Sequence, residues 1–161
     1  APNSYDFGLG DRCCVYTVRT LDAAKENKTR VFTMPRTGLL LQPDRLYLVN
    51  TEETMGSEHY VPIIRGRLSV GRLGIFIDIT ADLIDLGSIN QWTLQIHAVH
   101  PVRVYPGMLI GQVTGLHPVD RWKSWLINSK SRGAAGLQKR QLLCGRLAQV
   151  AHPQAEEPQG T

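Results

Sequence analysis

A chain of 161 residues, 42% hydrophobic and 20% charged, has the size and balance of one globular domain with its own buried core. Its apolar runs fall short of the roughly 18 residues that a membrane-crossing helix needs. The opening APNSYDFGLG has neither a basic nor an apolar leader region, so the expected location is cytoplasmic. A formal net charge of +4 suits an anionic partner, but nucleic acid is disfavoured because the basic stretch carries only Trp122 and Trp125 as stacking residues.

Taken in chain order, residues 22–28 (DAAKENK) predict a short helix, the one such segment before the C-terminal region. The runs 30–34, 45–51, 60–68, 73–80, 91–99 and 102–106 are short, rich in β-branched and aromatic residues, and separated by Gly, Pro, Asn or Asp. They predict strands, and their even spacing predicts a mostly β sandwich or barrel. From about Arg121 the chain becomes a basic arm, in which no acidic residue appears before Arg146. Residues 151–161 have the Pro, Gln and Glu content of a disordered tail, leaving 1–150 as a single domain.

Several chemistries are excluded by what is missing. The sequence has no G-x-S-x-G, no P-loop, no G-x-G-x-x-G opening a helix and no H-E-x-x-H. Cys13, Cys14 and Cys144 lack the spacing of zinc ligands or of a disulfide framework, so reduced thiols are expected. The five histidines are scattered, and His97 and His100 do not share a strand face. No metal held by side chains is expected.

The stretch GRLSVGRLGIFIDITADLIDLGSINQWTLQI (66–96), followed by PVRVYPGMLIGQV (101–113), resembles the central region of the dCTP deaminase family. That family's pattern runs G-R-S-S-(L/V)-(A/G)-R-L-G, then T-A-x-x-I-D-x-G, T-L-E and P-G-M-x-I-x-Q. PNSYDFGLG (2–10), LLLQPDRLYLVNTEE (39–53) and SKSRGAAGLQKRQLL (129–143) resemble the family's sheet opening, its T-x-E segment and its C-terminal arm. The resemblance starts after the helix and strand with which the family usually opens. It implies a distorted β-barrel of the dUTPase-like fold, assembled as a homotrimer with nucleotide sites between subunits.

It also implies roles for particular residues. Arg67, Leu68, Ser69 and Arg72 fall on the triphosphate-binding turn, where guanidinium forks and hydroxyls hold phosphate oxygens. Thr80 and Ala81 match the segment that reads the pyrimidine edge, and Asp85 matches the acid that bonds the sugar 3'-hydroxyl. Thr93 opens the T-L-E match, and Lys130 matches the lysine of the closing arm. Gln95, Arg72 and Asp85 fall at catalytic positions. Mg2+ would accompany the triphosphate, held by phosphate oxygens and water.

Three departures bear on the chemistry. The family's reaction is a metal-free attack of water on C4 of cytosine, yielding dUTP and ammonia, with the T-L-E glutamate moving the proton. That position is Gln95 here, and an amide cannot take a proton from water near neutral pH. Leu68 replaces a serine expected to help hold the water. Asp82 adds an acid near the expected polyanion, and Asp78 would repel a triphosphate if it faced the site.

Three readings therefore stay open. One is a family member that binds dCTP or dUTP with weakened deamination. Another is a non-catalytic trimer that senses nucleotides or binds a protein. The last is a dUTPase-like pyrophosphatase with Asp85 as base, to which RGAAGLQ (132–138) bears a faint resemblance.

Overall fold

The computed structural model describes residues 3–117. The basic arm from 121, including Lys130, and the 151–161 tail lie outside the described residues. The order is β1 (Tyr5–Tyr16), β2 (Thr29–Thr33), β3 (Leu39–Leu41), β4 (Tyr47–Thr51), β5 (Val61–Gly66), α1 (Leu68–Gly71), β6 (Ile75–Ile77), β7 (Thr93–Ala98), β8 (Val102–Val104) and β9 (Leu109–Leu116). The fold is mostly β, as expected. One sheet runs β5-β9-β1-β4-β7-β6 with β2 added to β1, and β3 pairs with β8 in a second, two-stranded sheet.

The 12-residue β1 is the spine. Its first residues pair with β9, and its last pair with β2 on one side and β4 on the other. Register shifts at Phe7/Gly8 and Leu9/Cys13 bend it between these partners, as bulges do where a sheet curls toward a barrel. The ends of the path then approach each other. After β6 the chain returns along β5, where Ile64 N–H donates to Asp82 O at 2.8 Å and Ile84 N–H to Pro62 O at 2.9 Å. The result is a nearly closed, barrel-like sheet.

Inside lies a core of Phe7, Leu9, Val49, Ile64, Ile75, Leu94, Ile96 and Ile110, with Cys13 a buried free thiol. Burial pushes the Cys13 thiol up to about 12, aided by Asp11, so it stays protonated. Cys14 is disulfide-bonded, which corrects the expectation of reduced thiols for that residue.

The six expected strands form, although 73–80 shrinks to Ile75–Ile77. Strands β1 and β9 are not among the expected runs, because Gly8, Gly10, Gly111 and Gly115 interrupt their patterns, and neither is β3, which is only three residues long. At Gly111 the missing side chain is required, since a Cβ there would sit 2.2 Å from the Phe7 ring on the paired strand.

No helix forms over 22–28. Asp22 instead bonds the Ala24 N–H through Oδ1 and accepts from Lys25 N–H, while the Asn27 side chain bridges Asp22 and Lys25. Asx-type bonding within a few exposed residues competes with a helix that has no apolar face to pack.

The T-x-E match is structural. Buried Thr51 donates its hydroxyl to Glu53 O at 2.8 Å and accepts the Trp92 N–H at 3.0 Å. The Glu53 carboxylate accepts the Gly8 N–H with both oxygens, at 3.1 and 2.9 Å.

Candidate functional site

The candidate residues occupy three consecutive features: the turn after β5, the 78–85 return segment and the outward face of β7. Gly66 ends β5 by pairing with Gly111, and Arg67 N–H donates to Ile110 O at 3.3 Å, so the turn into α1 is fixed from its first residue. Val70 alone of α1 enters the core, which leaves Leu68 and Ser69 outside. The extended Arg67 precedes them, half-buried, and its guanidinium stands 3.3 Å from the Asp6 carboxylate on β1. Asp6 falls within the opening PNSYDFGLG match, but nothing in that match marks it as the partner of Arg67. Arg72 is exposed and makes no ion pair or side-chain hydrogen bond among the described residues.

On β7 the period of two is regular. Leu94, Ile96 and Ala98 are buried, while Thr93, Gln95 and His97 share the other face, with Gln95 exposed. Residue Leu48 of β4 lies directly opposite Gln95 on one side. On the other side the β6 ladder ends at Ile77↔Ile96, so the next rung sets Asp78 against Gln95. Asp78 N–H donates to Gln95 O at 3.0 Å, and Gln95 N–H donates to Asp78 Oδ1 at 2.7 Å.

Asp78 is 3% exposed. Burial raises its carboxyl from an ordinary 3.8 to about 6, the Gln95 N–H opposes that rise, and Asp82 adds to it. The expected clash between Asp78 and a polyanion therefore does not arise, since the group is turned into the fold. Asp82 is likewise compensated by Arg65, at 3.0 Å.

Thr80 and Ala81 are exposed and stand between Asp78, which bonds Gln95, and Asp82, whose carbonyl accepts from Ile64 of β5. Asp85 lies at the far end of the segment, beyond the Ile84–Pro62 bond. It is exposed and opens a turn closed by Ser88 N–H to Asp85 O at 3.1 Å, with Gly87 at φ 80°. Gly87 N–H donates to Ser57 O, and the Trp92 indole N–H to Ser88 O at 3.1 Å, which ties this turn to the core. Along the segment Thr80 and Ala81 thus follow the Asp78–Gln95 pairing, and Asp85 lies at the other end.

Three concavities of about 380, 380 and 450 Å³ are lined by residues other than these candidates. Among the described candidates Arg67 and Thr93 are half-buried and the others exposed, a largely open ledge on one chain. Among the described residues no three His, Cys, Asp or Glu side chains converge as metal ligands, and no helix is long and apolar enough to cross a membrane.

Residues 1–114 match the family model described as dCTP deaminase-like. A protein named "dCTP deaminase, dUMP-forming" from Hathewaya histolytica is 48% identical over 112 residues, covering 70% of this chain and 65% of that protein. One of the same name from Clostridium botulinum (strain Alaska E43 / Type E3) is 40% identical over 137 residues, covering 85% and 79%. The chain spans 65% of the length of the first of these relatives. A crystal structure of 2'-deoxycytidine 5'-triphosphate deaminase from Agrobacterium tumefaciens superposes with a TM-score of 0.57 over 81% of this chain and 44% of that one. At 17% identity it supports the shared fold alone.

Proposed function

The chain belongs to the dCTP deaminase-like family, and on that premise we propose that it is a cytoplasmic protein that binds a pyrimidine deoxynucleoside triphosphate, dCTP or dUTP. The site is closed by a second copy within a homotrimer, and deamination is strongly slowed. The observation that carries this reading is the placement of Gln95. It is an exposed amide on β7, bonded to Asp78, which Thr80 and Ala81 follow two and three residues later, at the position where deamination calls for a base.

An amide offers hydrogen bonds but no proton acceptor near neutral pH, and losing a positioned base costs about 10²- to 10⁴-fold in rate. Asp78 does not replace it, because its Oδ1 is committed to the Gln95 N–H and the residue is buried. Nucleotide binding draws on Arg72, Arg67, Ser69 and, from the arm, Lys130, which suit phosphate oxygens. Mg2+ enters with the triphosphate, held by its oxygens and by water.

The ledge favours assembly. Leu68, Ile79 and Leu83 are 71%, 68% and 64% exposed and flank the candidate residues. Apolar side chains so placed suit contact with another copy, which would also enclose a ligand that a single chain leaves open.

A second reading is favoured by Asp85 together with the names of the relatives, which specify dUMP formation. A carboxylate on a turn anchored by Trp92 could activate water toward the phosphates, releasing dUMP without needing Gln95.

Incubating the protein with dCTP or dUTP and Mg2+, and separating products by anion exchange, tests both. Slow or absent formation of uracil nucleotides from dCTP, sped about 10²-fold or more by Gln95→Glu, is the expected result. Formation of dUMP from dUTP supports the second reading. Calorimetry showing no heat with dCTP or dUTP at millimolar concentration would overturn nucleotide binding.

A further inference from the structure

We propose that Asp78 is a positioning residue, whose carboxylate takes the place of a backbone carbonyl in the β6–β7 ladder and thereby fixes Thr80 and Ala81 against Gln95. The inference rests on the nucleotide-binding reading above for its function, but not for its structure.

Three observations carry it. The first is the form of the last rung. An antiparallel hydrogen-bonded pair normally exchanges two backbone N–H···O bonds. Here Asp78 N–H donates to Gln95 O, but Gln95 N–H donates to Asp78 Oδ1. The side chain completes the rung, and the backbone of residue 78 is free to turn away.

The second is that turn. Asp78 has φ 42°, the one positive φ at a non-glycine residue among the described residues. Asp and Asn reach this region more readily than other side chains because they bond locally. The third is burial without a cation. Asp78 is 3% exposed and has no ion-pair partner among the described residues. The charged groups around it are Asp82, which acts on it through space, and Arg65 of β5, which is paired to Asp82. A strained backbone and a buried acid at one residue are both unfavourable, and the short bond to Gln95 is what offsets them.

The consequence is geometric. Without the rung, the chain after Ile77 would lose its attachment to β7 and would not reach β5 until Asp82, so the exposed Thr80 and Ala81 would have no fixed distance from Gln95.

Three variants separate the roles. Asp78→Asn keeps the acceptor and tolerates the φ. Asp78→Gly keeps the φ and removes the acceptor. Asp78→Ala removes both, and the other two keep the test valid if it fails to fold. In amide NMR spectra, the Gln95 N–H of the unsubstituted protein shifts with pH around 6 and that of Asp78→Asn does not. In calorimetry with dCTP and Mg2+ at pH 7, Asp78→Asn binds within about threefold of the unsubstituted protein, and Asp78→Gly, still folded by circular dichroism, binds about tenfold more weakly.

A Gln95 amide that does not titrate, or an Asp78→Gly protein that binds dCTP normally, overturns the proposal. An unsubstituted protein that binds no nucleotide defeats the function proposed above instead, and the amide titration then decides the rung by itself.

Discussion

The Arg67 guanidinium and the Asp6 carboxylate stand 3.3 Å apart, joining the start of β1 to the turn that carries the expected phosphate contacts. Both side chains are 32% exposed, so the pair is screened only in part and holds Arg67 in one orientation. Arg72 has no such partner among the described residues. The two arginines thus differ: among the described residues Arg67 is oriented by a carboxylate and Arg72 by none.

That difference predicts unequal effects. Asp6→Ala is expected to weaken dCTP binding about threefold by releasing Arg67, with a coupling of about 0.5–1 kcal/mol between the two residues. A double-mutant cycle of Asp6→Ala and Arg67→Ala by urea unfolding measures the coupling, and calorimetry measures the affinity. Arg72→Ala should weaken binding about tenfold or more while leaving the urea midpoint unchanged, because it loses no ion pair or side-chain hydrogen bond among the described residues.

Restoring the base should reveal what else the site lacks. Gln95→Glu is expected to raise dCTP deamination by about 10²-fold, less than a base can give, because Leu68 stands where the family pattern has a serine hydroxyl. Adding Leu68→Ser should gain a further factor of about 10, more than the same change gives in the presence of Gln95. Ammonia release from dCTP in the four proteins tests this, and equal gains from Leu68→Ser in both backgrounds would count against a shared water.

Asp78 makes stability depend on pH with a definite sign. Its carboxyl is raised in the fold, from 3.8 to about 6. Between these values the folded protein keeps a proton that the unfolded chain has lost. Its contribution is therefore most favourable below about pH 4, falls as pH rises toward 6 and is constant above that. The shift corresponds to on the order of 3 kcal/mol. Asp78→Asn cannot ionise, so its stability relative to the unsubstituted protein should increase from pH 4 to pH 6.5. Urea midpoints of both proteins at the two pH values give the difference directly, and a constant gap would mean that Asp78 titrates normally.

Gly111 tests the packing beneath the site. A methyl group there would meet the Phe7 ring at 2.2 Å, and Phe7 is fully buried. Gly111→Ala is expected to destabilise the fold by about 3 kcal/mol. Combining it with Phe7→Leu should cost less than the sum of the two single changes, because the smaller side chain relieves the overlap. Thermal unfolding of the three variants measures that deficit.

Assembly has its own test. Leu83→Glu puts a charge on a side chain that is 64% exposed in one chain, so it should leave the monomer's fold intact while separating the proposed trimer. Sedimentation equilibrium is expected to give about three times the chain mass for the unsubstituted protein and a smaller value for the variant.

Much of this was legible from the residues alone. Six strands announced themselves through β-branched and aromatic runs, because a half-buried strand needs an apolar residue at every second position. Family membership rested on motifs in order, and the family match bears it out. The Gln95 and Leu68 departures were visible at once, since a change of functional group needs no coordinates. The spine strand β1 was not legible as a strand, because its glycines read as breaks until Phe7 was seen packed on Gly111. The 22–28 helix was misread because local Asx bonding leaves no mark on periodicity.

What the tertiary structure alone decided was which charges face one another. In the sequence, Asp78 and Asp82 were two carboxylates near an expected polyanion, and Asp6 was one residue of an opening motif. In the fold Asp78 turns inward to complete a rung, Asp82 pairs with Arg65, and Asp6 orients Arg67 across 61 positions of chain. Residue type determined which chemistry was possible, because an amide or a carboxylate is the same group wherever it stands. Partnership did not follow from type, because interaction energy depends on distance and burial, and only the paired strands set those.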